Sequence, residues 1–158
     1  MKQLTLPRVI LLLLILATLC FIFARSTKAP ADSAAESDKV RDFLEEVLPP
    51  DSETTDFVLT NVRKIAHFSE FGFLGILTVF LFATYRCRAA FVGRWLVFGF
   101  FAAFADETIQ MFTGRGPAIA DVWIDVGGYL FYSILTFLIL IPILLVRRRP
   151  LFTKKYVL

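Results

Sequence analysis

Cysteine and histidine are scarce in this chain: 158 residues hold two cysteines, Cys20 and Cys87, and one histidine, His67. Two distant cysteines have neither the number nor the spacing of a disulfide framework or a structural zinc site. There is no glycine-rich phosphate loop, no G-x-S-x-G, no H-E-x-x-H and no C-x-x-C. The common nucleotide, serine-hydrolase, zinc-protease and dithiol chemistries therefore have no motif to stand on. Long polar stretches are scarce as well, which leaves no room for a second sizeable soluble domain. Acidic residues are absent from the basic ends of the apolar runs. The net charge of +3 thus has the distribution of the positive-inside rule rather than of a nucleic-acid interface.

What the chain has in abundance is apolar sequence, 57% of all residues with 18 phenylalanines, well above the 45–50% or so of soluble domains. Four runs are long enough to cross a bilayer, which needs about 20 residues of helix: Val9 to Ala24, Ala66 to Thr84, Phe91 to Phe112 and Val122 to Val146. The expected fold is all-α, an integral membrane four-helix bundle. With this topology Lys2, Arg8, Arg86, Arg88, Arg94, Arg147, Arg148, Arg149, Lys154 and Lys155 fall on one side, which the charge bias makes cytoplasmic, with both termini inside. The first run is longer than a secretory core of about 7–15 residues and reads as an uncleaved signal anchor.

The organisation expected is a first span over 1–25, an extracytoplasmic segment over 26–59, a three-span core over 60–146 and a basic cytoplasmic tail over 147–158. In the extracytoplasmic segment Val40, Phe43, Leu44, Val47 and Leu48 recur at helical spacing. That predicts a short amphipathic helix over 38–48, capped by Ser37, ended by Pro49-Pro50 and laid across the outer end of the bundle. The Asp32 to Glu36 portion before it reads as flexible. Gly72, Gly75, Gly127 and Gly128 read as points of close helix approach, and Trp95 as an inner interfacial anchor.

Ionisable residues within spans are costly, roughly 2.5–3.5 kcal/mol at a helix centre, and this chain carries three groups of polar side chains. Lys64, His67 and Glu70 open the second span, Asp106, Glu107 and Gln110 lie late in the third, and Arg115, Asp121 and Asp125 flank the passage to the fourth. All map to the outer half, where they would floor and rim an outward-facing pocket. Lys64, Arg115 and His67 face more carboxylates than they can neutralise, so a bound cation, a proton or a cationic ligand would make up the charge. A network that only holds helices in register is the competing reading. His67 and Glu70 are the candidate acid or base, or a metal-ligand pair. Asp106, Glu107 and Asp121 are the candidate ligands for a divalent cation, and such carboxylate-rich sets suit magnesium, calcium or manganese.

In order along the chain stand K-x-x-H-x-x-E at Lys64, His67 and Glu70, D-E-x-x-Q at Asp106, Glu107 and Gln110 with Arg115 five residues on, and D-x-x-x-D-x-x-G from Asp121 through Asp125 to Gly128. Over roughly residues 60 to 140 this resembles the VanZ-like family of small bacterial membrane proteins, whose pattern most often has Asn where this chain has Asp125. The resemblance implies a bacterial inner-membrane location and, through the founding member, an influence on resistance to the glycopeptide antibiotic teicoplanin. Three functions fit the residues. The first is a pocket that binds a membrane lipid or lipid-linked envelope precursor, with Lys64 and Arg115 on its phosphate. The second is a metal-dependent enzyme acting on the same class of molecule. The third, a proton-coupled transporter using Asp106 and Glu107, fits least, because the polar set stops in the outer half.

Overall fold

The computed structural model describes residues 5–50, 52–85, 90–115 and 119–146. Cys87, the basic residues Lys2, Arg86 and Arg88, and the tail 147–158 lie outside them. The described residues form six helices and no strand: α1 (Leu6–Ser26), α2 (Pro30–Val47), α3 (Glu53–Thr60), α4 (Val62–Thr84), α5 (Ala90–Phe112) and α6 (Ile119–Val146).

Three segments, Leu6–Ser26, Val62–Thr84 and Ile119–Leu140, are long and apolar enough to cross a membrane. The helix α5 has the same length as α4, 23 residues, and carries Asp106, Glu107 and Gln110. Buried against its neighbours, those groups belong to the site.

α4 and α6 form the most extensive contact, and they run parallel. Along the seam Phe68 meets Gly128, Gly72 meets Tyr132, and Gly75 meets Tyr129 and Ser133. A Cβ on Gly75 would fall 2.4 Å from the Tyr129 carbonyl oxygen, and one on Gly128 would fall 2.1 Å from that of Phe68. Glycine is thus required there by backbone approach. Gly127, by contrast, has only the Phe68 ring edge at 3.8 Å and does not contribute to the seam.

α5 lies antiparallel to α6. Trp95 is buried, its ring 5.6 Å from that of Tyr129, and the Tyr129 hydroxyl donates to the Trp95 carbonyl at 3.2 Å. Trp95 is therefore a core residue rather than an interfacial anchor, because the small side of α5 at Gly99 admits the Tyr129 ring and the indole closes over it. Phe100 and Phe101 are exposed, on the outer face of the bundle. At the other end of α1, Arg8 donates to the Thr84 carbonyl at 2.7 Å and stacks over the Tyr85 ring at 4.2 Å. That fastens the start of α1 to the end of α4. α1 and α5 therefore run one way, α4 and α6 the other.

The expected amphipathic helix departs from its expected bounds. α2 begins at Pro30, not beside Ser37, and its first turns include the segment expected to be flexible. Pro30 at the first helical turn is preorganised for helix, and Glu36 is bonded to Lys28 and paired with Arg25 at 3.8 Å, which holds those turns on the end of α1. The Lys28 contact draws the Glu36 pKa down from the ordinary carboxylate value. Of the apolar stripe, Leu44 is half-buried and lines the cavity between α2 and the bundle together with the more exposed Val40, while Phe43 and Val47 are exposed. The short α3 had no strong signal in the sequence. It is tied back where Thr55 donates to the Pro49 carbonyl at 2.8 Å.

Candidate functional site

The polar groups meet at one end of the bundle, where α1 and α5 end and α4 and α6 begin. Their placement follows from helical phase: residues three apart differ by about 60° around a helix. Lys64, His67 and Glu70 consequently fan out to different partners. His67, in the middle, turns toward α5 and α6. Its Nδ1 lies 3.7 Å from Asp106 Oδ2 and 3.5 Å from Asp125 Oδ1. Glu70 turns the other way, to Arg25 of α1 at 3.2 Å. The pairing of His67 with Glu70 as joint ligands does not form, since the salt bridge draws the carboxylate off the His67 face. Lys64 is exposed and borders a smaller cavity.

Asp106 is completely buried. One carboxylate oxygen accepts from the Ser26 hydroxyl, and the other accepts from Gln110 Nε2 at 2.7 Å. Gln110, one turn on, uses its carbonyl to accept from Arg63 at 2.6 Å, giving a relay from α4 through α5 to α1. Asp125, 1% exposed, differs: neither of its carboxylate oxygens has a hydrogen-bond partner. His67, Asp106 and Asp125 each present one ligand atom within 4.8 Å of the others. The carboxylates grouped from the sequence as cation ligands therefore divide. Asp106 joins His67 and Asp125, whereas Glu107, which is buried, and Asp121 line the smaller cavity of about 170 Å³ beside them.

A larger cavity, about 550 Å³, opens between α1, α2 and the start of α4. Its polar wall includes Arg25, Lys28, Lys39, Arg63, Arg115 and His67, and its apolar wall includes Phe21, Val40, Leu44 and Ile65. Arg115, in the turn closed by Gly114 at φ +76°, is 6% exposed. It donates to the Arg25 carbonyl at 3.2 Å and to Ser33 at 2.7 Å, and its Nε has no partner. Burial, reinforced by the nearby Arg63, pulls its pKa below the ordinary arginine value. Its hydrogen bonds thus go to α1 and α2, and it lines the basic cavity. An apolar groove of about 490 Å³ runs along α1 and α4 past Leu14, Ala17, Thr18 and Phe73, and shares Phe21 and Ser69 with the cavity.

Arg25, Ser26, Lys28, Ser33, Lys39 and Arg63 are residues of the candidate site that the sequence did not single out. The signal for Arg25 and Ser26 was their place directly after the first apolar run, read there as the end of an anchor. The first helix is also a wall of the candidate site.

The VanZ/LLP1 family model matches residues 9–142, a range that takes in α1 and α2 as well as the three motif blocks. No curated protein and no solved structure matches the chain. With its three apolar helices and this match over most of its length, the chain belongs to the VanZ/LLP1 family.

Proposed function

We propose that this VanZ/LLP1 protein is a multi-pass protein of the bacterial inner membrane that binds a phosphate-bearing lipid, such as a lipid-linked envelope precursor, at its extracytoplasmic face. The observation that carries the reading is the 550 Å³ cavity whose lining holds, among the described residues, five basic side chains, Arg25, Lys28, Lys39, Arg63 and Arg115, against the single carboxylate Glu36. Guanidinium groups suit phosphate because their planar N–H donors match its oxygens. The unpartnered Nε of buried Arg115 is a donor that such a ligand satisfies. The apolar groove sharing Phe21 and Ser69 with the cavity gives the lipid chain a path between α1 and α4.

The alternating helix directions support four spans, with α5 as the third. The basic residues of the other end support cytoplasmic termini. In this arrangement α2 rests over the cavity mouth, with Phe43 and Val47 exposed toward the head-group region. Binding a cell-wall precursor at this face would alter glycopeptide susceptibility by changing access to the antibiotic's target.

Native mass spectrometry of protein released from its own membranes tests the reading. The expected retained lipid carries a phosphate and a polyprenyl chain, and Arg115→Gln loses it. Retention of bulk phospholipids alone, in their membrane proportions, would overturn it.

A further inference from the structure

We infer that His67, Asp106 and Asp125 form a binding site for a divalent cation of the zinc class. The inference does not rest on the lipid reading, although His67 also lines the basic cavity. Three helices deliver the ligands, which a sequence of isolated motifs leaves unconnected: α4 brings the imidazole, α5 and α6 one carboxylate each. The ligand-to-ligand separations of 3.5 and 3.7 Å from His67 Nδ1 are close to the roughly 3.4 Å between neighbouring ligands on a tetrahedral zinc ion with bonds near 2.0–2.1 Å.

The three groups are in different states of readiness. Asp106 is held from behind, by Ser26 on one oxygen and Gln110 on the other, the outer-shell orientation that metal-binding carboxylates use. Each of its oxygens keeps a second lone pair. Asp125 is the independent sign of a missing partner. It is 1% exposed, both oxygens lack a hydrogen bond, and one is the atom facing His67. A buried carboxylate without donors is costly, and a cation at the centre of the triad satisfies it. His67 and Asp125 also line the 170 Å³ cavity, which has room for a water or ligand oxygen in the fourth position.

A protonated His67 clamped between two aspartates is the competing arrangement, and zinc content separates the two. Full-length protein without a polyhistidine tag is purified in detergent, stripped with chelator, exposed to Zn²⁺ and desalted. The expected result is about one zinc per chain, falling at least tenfold in affinity in Asp125→Asn. Because the chain has one histidine, imidazole scattering in the zinc X-ray absorption spectrum of the unaltered protein identifies His67 without any variant. Failure to retain zinc, zinc bound without imidazole scattering, or undiminished affinity in a folded Asp125→Asn protein would each overturn the inference. No lipid enters these measurements, so their failure leaves the lipid reading standing, and the reverse holds.

Discussion

The imidazole of His67 and the carboxylate of Asp125 face one another at 3.5 Å across the α4–α6 seam, and glycine sets that distance. Gly128 lies three residues beyond Asp125 and Phe68 directly follows His67. The approach of Gly128 to the Phe68 carbonyl is therefore the same approach that brings the two polar groups together. The packing motif and the chemical motif are one feature of the two helices.

Replacing Gly128 with Ala should destabilise the protein by roughly 1–3 kcal/mol, the usual cost of overpacking. The added Cβ would meet backbone at 2.1 Å, which cannot move aside as a side chain can. Gly127→Ala meets nothing closer than 3.8 Å and should be neutral or slightly stabilising, since alanine favours helix. Reversible unfolding in mixed micelles reads both. Equal stabilities would contradict the close-approach account.

Ser26 gives α1 a direct bond to the buried Asp106. Ser26→Ala should cost about 1.5–3 kcal/mol, the range for hydrogen bonds to charged groups. Most of that cost should vanish in an Asp106→Leu background, which has no acceptor for the hydroxyl and where a double-mutant cycle measures the coupling. Additive effects would mean that α1 is an anchor only.

The pairing of Glu36 with Lys28 sets a pH dependence for α2. Its folded pKa is lowered, chiefly by the Lys28 bond. The contribution is therefore fully present above the ordinary carboxylate value and is lost as pH falls through the lower folded one. Protection of the amides in Pro30–Val47, taken relative to their intrinsic exchange rate at each pH, should fall below that range, and in Glu36→Gln it should be lower throughout. Protection in the unaltered protein that does not change with acid would contradict the tether.

Much of this arrangement was legible in the sequence. The apolar runs set the long helices to within a few residues, and costly ionisable groups at helical spacing marked the polar end. Partner choice was not legible, because it depends on how each helix is rotated against its neighbours. His67 is equally spaced from Lys64 and Glu70, yet its contacts are to Asp106 and Asp125 while Glu70 goes to Arg25. Trp95 reads from the sequence as an inner interfacial anchor, and only the gap at Gly99 shows why it is buried. α2 starts early because of partners on α1, contacts that periodicity within α2 does not encode.

Four spans with cytoplasmic termini predict the labelling of single cysteines by a membrane-impermeant maleimide in intact cells. Glu53→Cys, in a background lacking Cys20 and Cys87, should label readily. Cys87 alone should label only after the membrane is permeabilised. The reverse pattern would contradict the orientation and place the basic cavity on the cytoplasmic side.

Binding in nanodiscs of a polyprenyl monophosphate, compared with the alcohol of the same chain length, tests the central claim most directly. The basic cavity predicts that the phosphate binds at least tenfold more tightly, that inorganic phosphate competes weakly, and that Arg115→Gln weakens the phosphate by roughly tenfold. Such a loss is expected for one charge-assisted bond of about 1.5–3 kcal/mol. Equal affinity for the phosphate and the alcohol, or an isotherm unchanged by Arg115→Gln, would contradict it.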